Sequence, residues 1–220
     1  MTYRFSLYAV PHPDHPLWCL GNRWLGRDAD DTRDAGTTRF FADARRYGFH
    51  GTLKAPFRLA PGRSEAALRR DLCRFAAGED GLAVTLAISD DLGFLALRPV
   101  GGEARVRRLA DACVIVFDDY RAPLSAAEQQ RRLAGGGLSD RQQALLATYG
   151  YPYVLDQFRY HMTLADPCPD PGIVGRLADA ARSWFAPALA APVPLDLALF
   201  IEPEPGTAFQ LAERYPLGRR

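Results

Sequence analysis

The chain alternates between short segments with two-residue periodicity and longer segments with helical spacing. Apolar and polar residues alternate, as in half-buried strands, over residues 3–10, 49–59, 82–88, 92–100, 157–165, 193–201 and 207–215. Apolar residues three and four positions apart predict helices over residues 17–25, 64–77, 102–118 and 171–185. Residues 26–45 are polar and predict a loop or a partial helix. This mixture predicts an α+β fold.

The order of the predicted elements is the same in two parts of the chain. The strands at 49–59 and 157–165 are each followed by a helix and then by two strands. This order predicts a two-fold internal repeat, in which each copy forms an antiparallel sheet flanked by helices and the copies meet at a central cleft. We therefore expect residues 1–220 to form a single bilobal domain, with lobe one at about 1–100 and lobe two at about 101–220.

Residues 121–153 do not fit the repeat. They predict two short helices, at 125–133 and 139–148, joined by three glycines at 135–137. We interpret the segment as a helical insertion. Two roles stay open for it: a lid over the cleft that hinges at the glycines, and a surface hairpin that only packs.

One four-residue motif occurs twice, about half a chain apart. His50-Gly51-Thr52-Leu53 and His161-Met162-Thr163-Leu164 share the pattern His, any residue, Thr, apolar, and they contain two of the four histidines. On a strand, residues two apart point to the same face, so each His shares a face with its Thr. Two such strands facing each other would surround one small space with two imidazoles and two hydroxyls. That set of groups suits acid–base chemistry on a phosphate ester.

Each motif has a basic residue two positions from a motif residue. Lys54, the only lysine among 27 basic residues, lies two residues after Thr52, and Arg159 lies two residues before His161. Strand alternation predicts that each cation shares the face of its histidine, where it could bind a phosphate. The alternatives are a solvated lysine at a strand end and an arginine in a salt bridge at the rim.

Composition narrows the class of protein. The net charge of +1 gives no overall field to attract nucleic acid or an anionic membrane surface. The apolar fraction of 48% is ordinary for a globular protein, and no apolar run reaches the roughly 18 residues of a membrane span. With no secretion signal at the N-terminus, we expect a cytoplasmic protein without a membrane partner.

The cysteines and the remaining histidines do not indicate a metal site. His12 and His15 lie in a proline-rich turn, and no carboxylate or cysteine beside them completes a ligand spacing. The four cysteines are scattered, without a C-x-x-C pair: Cys19, Cys73, Cys113 and Cys168. We expect no metal and no cofactor.

The two His-x-Thr motifs resemble those of the 2H phosphoesterase superfamily, which includes RNA 2′,3′-cyclic phosphodiesterases and RNA-ligase-like proteins. Longer strings are similar to the branch of that superfamily associated with phosphonate metabolism, and the resemblance covers nearly the whole chain. The strings are 46–57 (RYGFHGTLKAPF), 158–164 (FRYHMTL), 24–28 (WLGRD), 117–124 (FDDYRAPL) and 150–153 (GYPY).

The resemblance implies a bilobal, LigT-like α+β fold with the motifs on facing strands and no metal. It also implies a hydrolase, a cyclic phosphodiesterase in which His50 and His161 act as general base and acid and Thr52 and Thr163 bind the phosphate. Which imidazole is the base is left open by the sequence. The expected substrate is a small-molecule phosphate or phosphonate ester, such as a cyclic phosphodiester of a small sugar or nucleotide in phosphonate catabolism.

Two other functions are compatible with the same motifs. The first is the processing of RNA ends, by a 2′,3′-cyclic phosphodiesterase or a 2′-5′ RNA-ligase-like protein. The near-neutral charge makes nucleic acid the less favoured partner, because phosphate contacts dominate RNA affinity. The second is a non-catalytic module that binds a phosphate ester without turning it over.

Overall fold

The structure, a computed structural model, describes residues 3–27, 40–134 and 136–218. Its strands are β1 (Arg4–Pro11), β2 (Gly51–Phe57), β3 (Leu82–Val84), β4 (Leu86–Ser89), β5 (Ala96–Pro99), β6 (Met162–Thr163), β7 (Val193–Glu202) and β8 (Gln210–Tyr215). Its α-helices are α1 (Pro16–Trp24), α2 (Ala42–Tyr47), α3 (Glu65–Gly78), α4 (Glu103–Val116), α5 (Ala126–Ala134), α6 (Asp140–Tyr149) and α7 (Pro171–Leu189). Short 3₁₀ turns cover Asp118–Tyr120 and Leu155–Gln157. The predicted α+β class is confirmed.

All eight described strands lie in one antiparallel sheet, so the prediction of two separate sheets is wrong. The order is β3-β7-β1-β2-β6-β5-β4, and β8 also pairs with β7. The two motif-bearing strands, β2 and β6, are neighbours near the middle of the sheet, and they pair at Gly51 and Met162. The two halves of the sheet are therefore joined directly at the motifs.

The two faces of the sheet have different roles, because strand residues alternate between them. The face that carries Leu7 and Met162 packs against apolar residues of α1, α3, α4 and α7, and this forms the main hydrophobic core. The opposite face carries a much smaller apolar cluster around Tyr8 and Phe200. The second face is thus left open for a site.

Several helices begin at residues whose side chains accept hydrogen bonds from the free backbone amides of the first turn. The Ser64 hydroxyl accepts from the Ala67 amide at the start of α3, and Ser139 forms a capping box with Gln142 at the start of α6. The carboxylate of Asp170 accepts from two amides of α7, and Pro171 opens that helix. None of the helices in the described ranges is long and apolar enough to span a membrane.

Two of the predicted strands differ from those in the structure. The strand at 82–88 is split into β3 and β4, because its first part pairs with β7 and its second part with β5. The strand at 157–165 shrinks to the two residues of β6. The amide of Tyr160 donates to the Glu103 carboxylate (2.6 Å) and its carbonyl accepts from Arg98 (2.7 Å), so side chains replace a strand partner there.

The helical insertion at 121–153 contains the two expected helices, α5 and α6. The three-glycine joint at 135–137 has its first residue outside the described ranges. Most of the predicted loop at 26–45 also falls there, at residues 28–39, and α2 forms in its last part.

Candidate active site

The register between β2 and β6 brings the two His-x-Thr motifs together. Gly51 pairs with Met162 in an antiparallel ladder. This places His50 opposite Thr163 and Thr52 opposite His161, with all four side chains on the open face. Directly opposite residues have Cβ atoms about 5 Å apart. The four side chains also line one cavity, which has a volume of about 390 Å³.

Each imidazole is held by the backbone carbonyl two residues before it. Nδ1 of His50 lies 2.8 Å from the oxygen of Gly48, and Nδ1 of His161 lies 2.7 Å from the oxygen of Arg159. A carbonyl oxygen can only accept, so Nδ1 carries the proton in both rings. In the neutral imidazole Nε2 is then the basic nitrogen. The two motifs therefore present the same tautomer.

Gly48 has a backbone conformation that only glycine adopts without strain. Its φ is 84° and its ψ is 178°. A Cβ at this position would also lie 2.5 Å from a guanidinium nitrogen of Arg27. This conformation aims the Gly48 carbonyl at His50, so the glycine fixes the imidazole.

His50 lies between an aromatic ring and a hydroxyl. Its ring stacks on Tyr8, with centroids 3.6 Å apart and an interplanar angle of 22°, and its Nε2 lies 3.1 Å from Oγ1 of Thr52. Burial lowers the pKa of His50 to about 3, and the nearby imidazole of His161 and guanidinium of Arg27 act in the same direction. The ring is therefore neutral at neutral pH, with Nε2 unprotonated.

His161 has different neighbours. The ring of Phe94 meets it edge-on, with centroids 5.3 Å apart. Burial lowers the pKa of His161 too, and the charge of Arg98 adds to this, but the carboxylates of Asp91 and Glu103 act in the opposite direction. The surroundings of His161 thus tolerate an imidazolium better than those of His50.

Lys54 does not share the face of His50, so that prediction is wrong. Tyr8 pairs with Thr52 but Leu7 pairs with Lys54, which leaves Leu53 as an extra residue, a β-bulge. Lys54 is buried on the core side, where Nζ donates to the carbonyl of Val114 (3.0 Å) and to the carboxylate of Asp118 (3.1 Å). Its ammonium therefore links β2 to the end of α4 and to the 3₁₀ turn that precedes the insertion.

Arg159 lies beside the site but outside the cavity that holds both motifs. Its side chain is exposed and lines a neighbouring cavity of about 520 Å³. The two cavities share five lining residues: Thr52, Ala55, Phe94, Tyr151 and His161. They are compartments of one cleft, and Arg159 belongs to the second compartment.

Two arginines that the sequence did not single out line the compartment of the motifs. Arg4 begins β1, and Arg132 lies on α5 of the insertion. Tyr8, which stacks on His50, was also missed. Its signal was present in the alternation of β1, but its place beside His50 depends on the pairing of β1 with β2.

A comparison with protein families shows which family this chain belongs to. Residues 52–210 match a family described as a protein of unknown function, DUF1045. The match covers more than half of the chain. The chain belongs to the DUF1045 family. The matched range contains Thr52, Arg132, His161 and Thr163, and it begins two residues after His50.

Two curated relatives resemble this DUF1045 chain over nearly all its length. One, from Laribacter hongkongensis (strain HLHK9), is 41% identical over 216 aligned positions, covering 94% of this chain and 50% of the relative. The other, from Janthinobacterium sp. (strain Marseille), is 38% identical over 229 aligned positions, covering 97% of this chain and 50% of the relative. Both carry the name ribose 1,5-bisphosphate phosphokinase PhnN. The chain thus spans about half the length of the curated relatives it matches.

Proposed function

We propose that this chain is a metal-independent phosphoesterase of the 2H type, which hydrolyses a cyclic phosphodiester. The observation that carries the proposal is the pairing of two His-x-Thr motifs on adjacent strands, each with its imidazole fixed through Nδ1. Two basic nitrogens and two hydroxyls then line one cavity of sugar-phosphate size.

The reaction needs one base and one acid at phosphorus. A neutral imidazole takes a proton from water as the water oxygen bonds to phosphorus. The ester P–O bond on the far side breaks, and the second imidazole, as imidazolium, gives its proton to the leaving alkoxide. The product is a phosphomonoester with a free hydroxyl, and one water is consumed.

We assign the base to His50 and the acid to His161. Burial and the charges of His161 and Arg27 disfavour an imidazolium at position 50, so His50 is held in the neutral form that a general base needs before the reaction. The carboxylates near His161 favour its protonated form. The negative charge of a bound phosphate adds to that effect and loads the acid with its proton.

Thr52 and Thr163 are proposed to donate hydrogen bonds to the non-bridging phosphate oxygens, for which the Thr52 hydroxyl turns from Nε2 of His50 when substrate binds. Each hydroxyl lies opposite the histidine of the other motif, so the two approach the phosphate from opposite corners. Lys54 is left out of this scheme, because its ammonium is bound to Asp118 on the other face. Arg159 remains a candidate for contacting the part of the substrate that enters the second compartment.

A duplicated unit is the fold we propose for this activity. The order strand, helices, motif strand, helix, strand describes β1 to β4, where the last strand is split into β3 and β4, and again β5 to β7. The last strand of each unit pairs with the first strand of the other, β4 with β5 and β7 with β1. This exchange supports two interlocked lobes with β2 and β6 at their junction.

The name of the relatives suggests a substrate class. Hydrolysis of a cyclic phosphodiester across O1 and O2 of ribose 5-phosphate would give a ribose bisphosphate, and breakage of the bond to O2 would give the 1,5-isomer. The only lysine of this chain, Lys54, is followed by Ala55, so the chain contains no Gly-Lys-Ser/Thr nucleotide-binding sequence. We propose that the phosphokinase activity in that name belongs to the half of the relatives outside the match.

The proposal is tested by incubating the chain with a panel of cyclic phosphodiesters and following phosphorus by NMR. The panel contains ribose 1,2-cyclic phosphate with and without a 5-phosphate, and a nucleoside 2′,3′-cyclic phosphate, each with and without EDTA. We expect conversion of a cyclic sugar phosphate to a phosphomonoester, unchanged by EDTA. Conversion of the nucleoside substrate alone would favour RNA-end processing, and binding without product would favour a non-catalytic module.

A further inference from the structure

The compartment of the motifs contains a pair of arginines that the proposed hydrolysis does not use. Arg4 and Arg132 line it together with Tyr47 and Tyr151. Arg4 comes from the first strand and Arg132 from the helical insertion, so the fold brings them together from distant parts of the chain.

The charge of Arg4 is only partly balanced. Its Nε donates to the carboxylate of Glu202, which is fully buried. The same carboxylate also binds Arg46 (2.5 Å) and the amide of Gly206 (2.9 Å). Two guanidinium groups against one carboxylate leave a net charge of +1. An arginine has five N–H donors, and this hydrogen bond uses one of those on Arg4.

Arg132 makes no salt bridge with a carboxylate in the described ranges; the nearby carboxylate of Glu128 pairs with Arg58. It lies on α5, none of whose described residues is buried, yet its own side chain is half-buried and turns to the carbonyl of Gly150. Burial lowers the pKa of Arg132; the charge of Glu128 opposes this, and the charge of Arg4 adds to it. Two cations that disfavour each other in one cavity wall gain most from an anionic ligand.

The distance between the arginine pair and the motifs limits the size of the ligand that can contact both. Arg4 and Tyr8 are four residues apart on β1, about 13 Å along a strand, and they share the open face. Tyr8 pairs with Thr52. Arginine side chains reaching inward from that end leave room for a small sugar between them and the His and Thr side chains. The carboxylate of Asp166 lies in another part of the cavity wall. It already accepts hydrogen bonds from the backbone amides of Asp43 (3.0 Å) and Ala44 (2.9 Å).

We propose that Arg4 and Arg132 form a second anion subsite, which selects substrates carrying a phosphomonoester in addition to the cyclic phosphodiester. The inference rests on the proposed function, since it concerns the other end of the same substrate. It gives the helical insertion a role in specificity: α5 supplies one of the two cations. Sugar phosphates are then preferred over the corresponding unphosphorylated cyclic sugars.

The test measures binding of ribose 5-phosphate, which has the second phosphate but no reacting ester, by isothermal titration calorimetry. The variants are Arg132→Gln and the matched control Arg131→Gln, which removes the neighbouring exposed arginine of the same helix. We expect Arg132→Gln to weaken binding by about 10- to 100-fold and Arg131→Gln to leave it within about twofold. Because α5 has no buried residue among those described, both variants should fold, which thermal unfolding verifies.

A His161→Ala variant separates this inference from the proposed function. If it binds ribose 5-phosphate like the wild type, the subsite exists independently of the chemistry, even if no cyclic ester is hydrolysed. With active enzyme, the ratio of kcat/KM between the phosphorylated and unphosphorylated cyclic sugar should fall in Arg132→Gln. Equal binding by wild type and Arg132→Gln, or no saturable binding to the wild type, would overturn the subsite.

Discussion

The two His-x-Thr motifs share a backbone arrangement and differ in their surroundings. In both, Nδ1 is held by the carbonyl two residues earlier. His50 then stacks on Tyr8 at the start of a seven-residue strand, whereas His161 meets the edge of Phe94 beside a strand of two residues. The first motif is fixed by a sheet and the second by side chains around it.

Because the surroundings of His50 and His161 differ, a repeated sequence can supply two distinct proton-transfer groups. Identical anchoring gives both rings the same tautomer, so neither motif is specialised by its own four residues. The surroundings set the difference: burial lowers the pKa of both rings, but His161 has the carboxylates of Asp91 and Glu103 near it, whereas the charges near His50 add to the lowering. On this account, the base and the acid are assigned by the neighbouring elements.

Removal of either imidazole should give the largest effect. We expect His50→Ala and His161→Ala each to lower kcat by about 10²- to 10⁴-fold, because each loses one proton-transfer group. Steady-state assays on the cyclic sugar phosphate measure this. An unchanged kcat in either variant, with the fold intact by circular dichroism, would refute a role for that motif.

The backbone anchor of the first motif is tested at Gly48. A Gly48→Ala substitution places a side chain at φ 84° and 2.5 Å from Arg27, which should turn the carbonyl away from His50. We expect kcat to fall by roughly 10- to 100-fold and the free energy of unfolding by about 1–3 kcal/mol.

Gly62→Ala is the matched control for that change. Gly62 also has a positive φ, 80°, but no atom lies within 4 Å of its added Cβ. This variant should lose stability without losing kcat. Equal kcat in the two variants would show that the Gly48 carbonyl does not position the imidazole.

The pH profile tests the difference between the histidines. The base must be neutral and the acid protonated, and burial lowers the pKa of both rings. The base therefore stays neutral to a lower pH than a free imidazole would, and the acid loses its proton at a lower pH. Both limbs of the kcat/KM profile shift to lower pH. We expect its maximum below about pH 6.5, with the maximum of kcat at higher pH, since bound phosphate favours the imidazolium. A kcat/KM maximum above pH 7.5 would contradict these surroundings.

Lys54 should matter for stability and least for activity. In Lys54→Met the carboxylate of Asp118 keeps its hydrogen bond with Arg121 (2.8 Å), so we expect a loss of about 1–3 kcal/mol in unfolding free energy and less than about a threefold change in kcat/KM. Arg63→Met, which removes an exposed ion pair with Asp119, is the control and should cost under about 1 kcal/mol. A large rise in KM for Lys54→Met at unchanged stability would show instead that Lys54 binds the substrate phosphate.

Sequence patterns predicted those features of the fold that depend on residues close together along the chain. The helices, most strands and the common face of His50 and Thr52 follow from local periodicity, which the backbone imposes directly. The α+β class followed from the mixture of periods. These predictions required no knowledge of which strands pair.

The predictions that failed depend on pairing between distant segments. The bulge at Leu53 arises from the match between β1 and β2, so the sequence around Lys54 alone could not place that lysine on the core side. The second motif strand is short because Glu103 and Arg98 take the backbone groups of Tyr160. Arg4 and Arg132 share a cavity through the tertiary fold, which spacing along the chain does not encode.

The central claim is that the two imidazoles act as one unit on a cyclic phosphodiester, and the double variant tests it most directly. The measurement is kcat for wild type, His50→Ala, His161→Ala and the double variant on ribose 1,2-cyclic phosphate 5-phosphate. The account predicts that each single variant loses nearly as much activity as the double variant, because base and acid serve the same step. Losses that multiply in the double variant, or a single variant that hydrolyses the substrate like the wild type, would contradict it.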